Sequence, residues 1–207
     1  MPRRIESHLL DGPAGKLETL VEEPEDRAPV EICVLCHPHP LFGGTMHNKV
    51  VYRMARALRR RGSVVLRFNF RSVGRSQGQH AGGMGEIEDA RAALEWLQSR
   101  YPSLPYSLAG FSFGSGVILR LGCQEGEATR LIAAGLPAQT AREEFLKTCS
   151  APKVFLSSTN DQYAPRGEME ALYSNMAEPK QLIWIEAQDH FFDGALDEVE
   201  EIIFRLG

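Results

Sequence analysis

Hydrophobic residues along this chain follow two rhythms that take turns. Short, nearly continuous apolar runs occur at 30–36 (VEICVLC), 64–68 (VVLRF), 106–110 (YSLAG), 130–135 (RLIAAG), 153–158 (KVFLSS) and 181–186 (QLIWIE). Runs of this length without a polar face suit strands that are covered on both sides. Between and after them, apolar positions recur at spacings of three and four, which predicts helices over 47–61, 86–100, 113–124, 140–148, 166–177 and 194–206. In the second of these the stripe is Ile87, Ala90, Leu94 and Leu97; in the last it is Leu196, Val199, Ile203 and Leu206, with Asp193 as the expected N-cap. Ahead of all this, SHLL (7–10) and KLETLV (16–21) alternate polar with apolar on either side of DGPAG, the signature of an antiparallel hairpin. Strands alternating with helices require right-handed crossovers. The expected fold is therefore α/β: a mostly parallel eight-stranded sheet with an N-terminal antiparallel hairpin and helices on both faces.

Composition narrows this only a little. A length of 207 residues suits a single domain over 1–207, with the charged linker EEPEDRAP (22–29) joining hairpin to sheet. No apolar run is long enough to span a bilayer, and the N-terminus lacks the apolar stretch of a signal peptide, so a cytoplasmic protein without membrane contact is expected. The net charge of −4 offers nucleic acid no general attraction. Arg53, Arg56, Arg59, Arg60 and Arg61 read as the wet side of a helix whose other face carries Val50, Met54 and Leu58. The four cysteines are few and scattered, which reads as reduced thiols in a reducing compartment. Cys33 and Cys36 stand three apart on a strand, so they face opposite sides and share neither a metal nor a bridge.

The candidate chemistry begins with a pattern that occurs twice. GFSFG (110–114) and GRSQG (74–78) both match GxSxG. A serine nucleophile needs a strand that ends at it and a helix that begins directly after it, so that the turn lifts Oγ clear of the sheet. Ser112 lies between YSLAGF and FGSGVILRLGC and meets that requirement; Ser76 lies in a glycine-rich loop well before its next helix. A serine hydroxyl also needs a base, and His190 is the one histidine that follows Ser112. The orienting acid is expected to be Asp161, after the strand KVFLSS, rather than Asp189, whose adjacency to His190 does not readily let it reach the far ring nitrogen. Two backbone amides should face a developing oxyanion, one from Phe113. The other comes from HPHPLFGG, where Pro38 and Pro40 have no N–H; this leaves His39, which is favoured, or Leu41. His37, His39 and His47 could suggest a metal, but no nearby carboxylate completes a familiar set, and none is expected.

At this point the sequence resembles the α/β-hydrolase superfamily, and within it small lidless bacterial hydrolases related to dienelactone hydrolase. The resemblance rests on CHPHPLFGGTMHNKV (36–50), LRFNFRSVGRSQG (66–78), LAGFSFGSG (108–116), the Asp161 loop and DHFF (189–192). It implies the α/β-hydrolase fold and a Ser112, Asp161, His190 triad that works without a cofactor. Dienelactone hydrolase itself uses a cysteine nucleophile, so its substrate does not carry over. The lipase HGGG loop is replaced by HPHPLFGG, and LPAQTAREEFLKTCSAP (136–152) is too short for a cap domain. The expected function is a carboxylesterase acting on a small-molecule acyl ester. Thioesterase, peptidase, acyltransferase or non-catalytic binding are the other readings of the same residues, and the chain could be a monomer or a homodimer.

Overall fold

A computed structural model describes residues 5–206. Its single sheet has eight strands: β1 (Ile5–Gly12), β2 (Gly15–Glu22), β3 (Glu31–Cys36), β4 (Ser63–Phe68), β5 (Tyr106–Phe111), β6 (Leu131–Ala134), β7 (Lys153–Ser158) and β8 (Lys180–Ile185). They lie in the order β1-β2-β4-β3-β5-β6-β7-β8. The β1–β2 hairpin joins antiparallel to β4, and every other neighbouring pair is parallel. The helices are α1 (Lys49–Arg61), α2 (Met84–Arg100), α3 (Phe113–Glu125), the short α4 (Ala138–Ala141), α5 (Arg166–Ser174) and α6 (Leu196–Arg205).

The period of two in each strand builds two cores. Ile32, Val34 and Cys36 of β3 pack with Leu94 of α2 and Ile118 of α3 on one face, while Cys33 and Leu35 pack with Met54 of α1 and Ile203 of α6 on the other. The two central cysteines thus point into opposite cores, and both are free thiols. After β3 the chain builds β4 on one side of it and later β5 on the other, so the order reverses beside β3. That reversal opens a crevice beyond the carboxyl ends of β3 and β5, where ligands of open α/β sheets gather.

Four expectations change. Arg59 is buried, with its Nε 3.2 Å from Glu22, and Arg53, Arg56 and Arg60 converge on the buried Glu200 of α6. Arg56 and Arg60 are exposed, as a wet helix face requires, but Arg59 lies inside, and the row also serves as an ionic seam between α1 and its neighbours. The predicted helix over 140–148 is broken: α4 ends at Ala141, Glu143 is extended (ψ 139°), and a short 3₁₀ turn covers Glu144–Lys147. Ala141 and Leu146 are both buried, and a spacing of five does not keep both on one helix face. Asp193 does not cap α6, because Gly194 takes φ +83°, the helix starts at Leu196, and the Asp193 carboxylate accepts from Lys49 Nζ at 2.6 Å. Finally, Cys123 at the end of α3 and Cys149 form a disulfide across 26 positions. Scatter along the chain did not mean distance in space, and this pairing removes the cysteine argument for a reducing compartment. No helix among the described residues is long and apolar enough to cross a membrane.

Candidate active site

The junction between β5 and α3 shows why its sequence is glycine-rich. Ser112 adopts φ 55° and ψ −119° immediately before the first residue of α3, a strained turn for a residue with a side chain. A β-carbon on Gly110 would stand 2.3 Å from the Gly114 carbonyl oxygen, and one on Gly114 would stand 2.4 Å from that of Cys36. Only residues without a β-carbon let α3 start this close to β5 and β3. The rival serine has a different task. Ser76 is buried, donates to the Asn69 carbonyl at 2.6 Å and accepts from the Glu18 N–H at 2.9 Å, which ties its loop to β2.

Ser112 lies beside the loops after β7 and β8. His190 Nε2 is 2.8 Å from Ser112 Oγ, and His190 Nδ1 is 2.7 Å from Asp161 Oδ2. The other Asp161 oxygen accepts from the backbone N–H groups of Tyr163 (2.8 Å) and Ala164 (3.2 Å), so the carboxylate is held at both ends. Asp161 and His190 are both buried, whereas Ser112 is partly accessible. The rings of Phe111, Tyr163 and Phe191 pack around the imidazole at centroid distances of 5.1, 4.8 and 5.4 Å. Behind it, Gly135 (φ +56°) leaves room that a β-carbon would take, at 3.0 Å from the His190 ring. Asp189, the competing carboxylate, caps its own turn by accepting from the N–H groups of Phe191 and Asp193 at 2.8 and 3.1 Å.

The loop after β3 forms the facing wall. Phe42 and Gly44 donate their N–H groups to the His39 carbonyl, and Leu41 donates its own to His39 Nδ1 at 3.2 Å. The Leu41 amide is therefore occupied. Among the described residues, no acceptor takes the N–H of His39 or of Phe113. The His39 ring packs on Phe42 and Phe113 at 4.6 and 4.9 Å, and burial, followed by the neighbouring His80, lowers its pKa below 6.5. His37 is fully engaged inside the protein: Nδ1–H donates to the Pro38 carbonyl (2.6 Å) and Nε2 accepts from the Phe70 N–H (3.0 Å). Burial pushes its pKa down to about 4. With His37 committed, the HxH segment has no metal-binding geometry, and no cluster of metal-ligating side chains occurs among the described residues.

A cavity of about 690 Å³ opens over Ser112 and His190. Phe42, Phe113, Tyr163 and Phe191 give it aromatic walls, while Arg120, Gln139, Thr140 and Glu143 line a polar side. Sequence reasoning did not single out this polar side. Its residues come from α3 and from the 136–152 segment, where periodicity reads as ordinary amphipathic helix.

A family profile described as an alpha/beta hydrolase domain matches residues 33–198. An uncharacterized protein of Rickettsia prowazekii is 35% identical, the match covering 93% of this chain and 84% of that protein. Among solved structures, an alpha-beta serine hydrolase homologue from Coxiella burnetii superposes with a TM-score of 0.90 at 33% identity, covering 97% of this chain and 96% of the other. A serine hydrolase without a lid from Xanthomonas campestris gives 0.86 at 33% identity, covering 100% and 98%. The sheet order, the sharp turn at Ser112 and these likenesses agree, and the chain belongs to the α/β-hydrolase family.

Proposed function

We propose that the protein is a serine esterase that cleaves small carboxylic esters through an acyl-enzyme intermediate. The observation that carries this reading is the continuous hydrogen-bond chain from Ser112 Oγ through His190 to Asp161, at 2.8 and 2.7 Å. Asp161 accepts from Nδ1–H, which leaves the Nε2 lone pair to take the serine proton as Oγ attacks the ester carbonyl. The carbonyl π electrons move onto oxygen, and the unpaired amides of Phe113 and His39 receive the resulting oxyanion. Phe113 N–H stands at the first position of α3, where the helix dipole adds positive potential. When the tetrahedral species collapses, the imidazolium returns its proton to the departing alcohol. Water then repeats the sequence on the acyl-enzyme, releasing the acid and restoring Ser112. The route needs no cofactor.

A fluorophosphonate probe tests the reading directly. Wild type should be labelled and Ser112→Ala should not; an unlabelled wild type, or equal labelling of the two, refutes it. A panel of ester, thioester and amide substrates then ranks the acyl donors, with esters expected to be turned over fastest.

A further inference from the structure

Arg120 lies two turns into α3 and reaches back along it, donating to the Gly116 carbonyl at 3.4 Å. At 1.5 Å rise per residue, this puts its guanidinium about 6 Å along the helix axis from Ser112. Arg120 lines the same cavity as Ser112 and pairs there with Glu143, the two side chains being 26% and 36% exposed. A half-buried pair of this kind adds little to stability, since desolvation offsets most of the attraction. Gln139 and Thr140 stand on the same wall, and each both donates and accepts. Gly116 lets α3 pack closely against this wall, since a β-carbon on it would come within 2.9 Å of Thr140.

This wall is neutral overall, and it pairs donors with acceptors. A substrate carboxylate reaching it would meet the Glu143 charge, and an ammonium would meet that of Arg120. A hydroxyl or amide satisfies both, accepting from the guanidinium and donating to the carboxylate. We propose that the substrate is an ester whose acyl or alcohol part carries an uncharged hydroxyl or amide about five bonds from the scissile carbonyl, recognised by the Arg120–Glu143 pair. The proposal rests on the esterase reading of Ser112.

The test compares nitrophenyl esters of hexanoate, ω-hydroxyhexanoate and the adipate monoester, with butyl and 4-hydroxybutyl acetates, which hold the hydroxyl at the same number of bonds from the carbonyl, as the series for the alcohol side. In one of the two series the hydroxylated ester should have a kcat/KM about tenfold higher than its plain counterpart, mostly through KM, and adipate should be the poorest acyl donor. In Arg120→Met the hydroxyl-to-plain ratio should fall to about one. Glu143→Gln, a milder change at a half-exposed position, should raise the adipate-to-hexanoate ratio about tenfold by removing the repelling charge. No hydroxyl preference in either series, a wild-type preference for adipate, or an unchanged adipate ratio in Glu143→Gln overturns the proposal. Fluorophosphonate labelling separates the two readings: an unlabelled wild type removes the esterase itself, whereas a labelled wild type indifferent to the hydroxyl removes only this substrate class.

Discussion

Gly114 of α3 packs against the end of β3 so closely that a β-carbon on it would lie 2.4 Å from the Cys36 carbonyl oxygen and 2.6 Å from that of His37. Both are backbone atoms, one at the end of β3 and one at the start of the loop that carries the His39 amide, so neither can rotate away. Gly114→Ala should therefore lower the unfolding free energy by about 3 kcal/mol in urea titrations. Gly167, in α5, has nothing within 4 Å of its would-be β-carbon. Gly167→Ala should raise stability by about 0.5 to 1 kcal/mol through helix propensity alone. Equal effects at the two positions would contradict the close approach.

Asp161 separates orientation from folding. In Asp161→Asn the side-chain oxygen can still accept from Tyr163 and Ala164, but the amide that replaces Oδ2 donates toward His190 Nδ1 and favours the tautomer with its proton on Nε2. That proton faces Ser112 and blocks its activation. On the proposed mechanism kcat should fall by about 10⁴-fold with little change in melting temperature. Asp189→Asn, which alters only a turn cap, should stay within about tenfold of wild type.

His37 makes stability depend on pH. Its folded pKa, about 4, lies below the ordinary 6.5 because the ring is buried. The unfolded chain therefore binds the proton more tightly, and the contribution of His37 is complete above pH 6.5 and is lost as pH falls toward 4. Its Nε2 lone pair, which accepts from Phe70, is the site that would have to be protonated. From pH 7 to pH 5 this residue alone should cost about 2 kcal/mol of unfolding free energy. His37→Gln should flatten that slope even if the variant is less stable at pH 7, as paired urea titrations at the two pH values would show.

The Cys123–Cys149 disulfide closes a loop across 26 positions and ties the end of α3 to the segment carrying Glu143. Beside it, the buried Lys153 ammonium donates to the carbonyls of Cys149 and Ala151 at 2.7 and 2.8 Å, fixing the same turn. Loop-closure entropy assigns such a bridge about 3.5 kcal/mol. Cys123→Ser should lower stability by that order. Thiol titration of the denatured, unreduced protein should find two free thiols, Cys33 and Cys36, and four after reduction. Four before reduction would mean the bridge does not form.

The order of strands and helices was determined by local pattern alone, because apolar periodicity records which faces each segment must bury. The same local information placed Ser112 at a strand-helix junction with no loop between, and put Asp161 and His190 in loops after the last two strands. Tertiary structure decided what depends on which elements lie side by side. It brought His190 between Ser112 and Asp161 and turned Asp189 to its own backbone; it also occupied the Leu41 amide while leaving that of His39 open. It paired two distant cysteines, drew Asp193 away from α6 to Lys49, and buried Arg59 against Glu22. In each case the deciding energy lies in a contact between segments far apart in the chain, where desolvation and hydrogen-bond geometry depend on the partner, and periodicity within one segment carries no record of that partner.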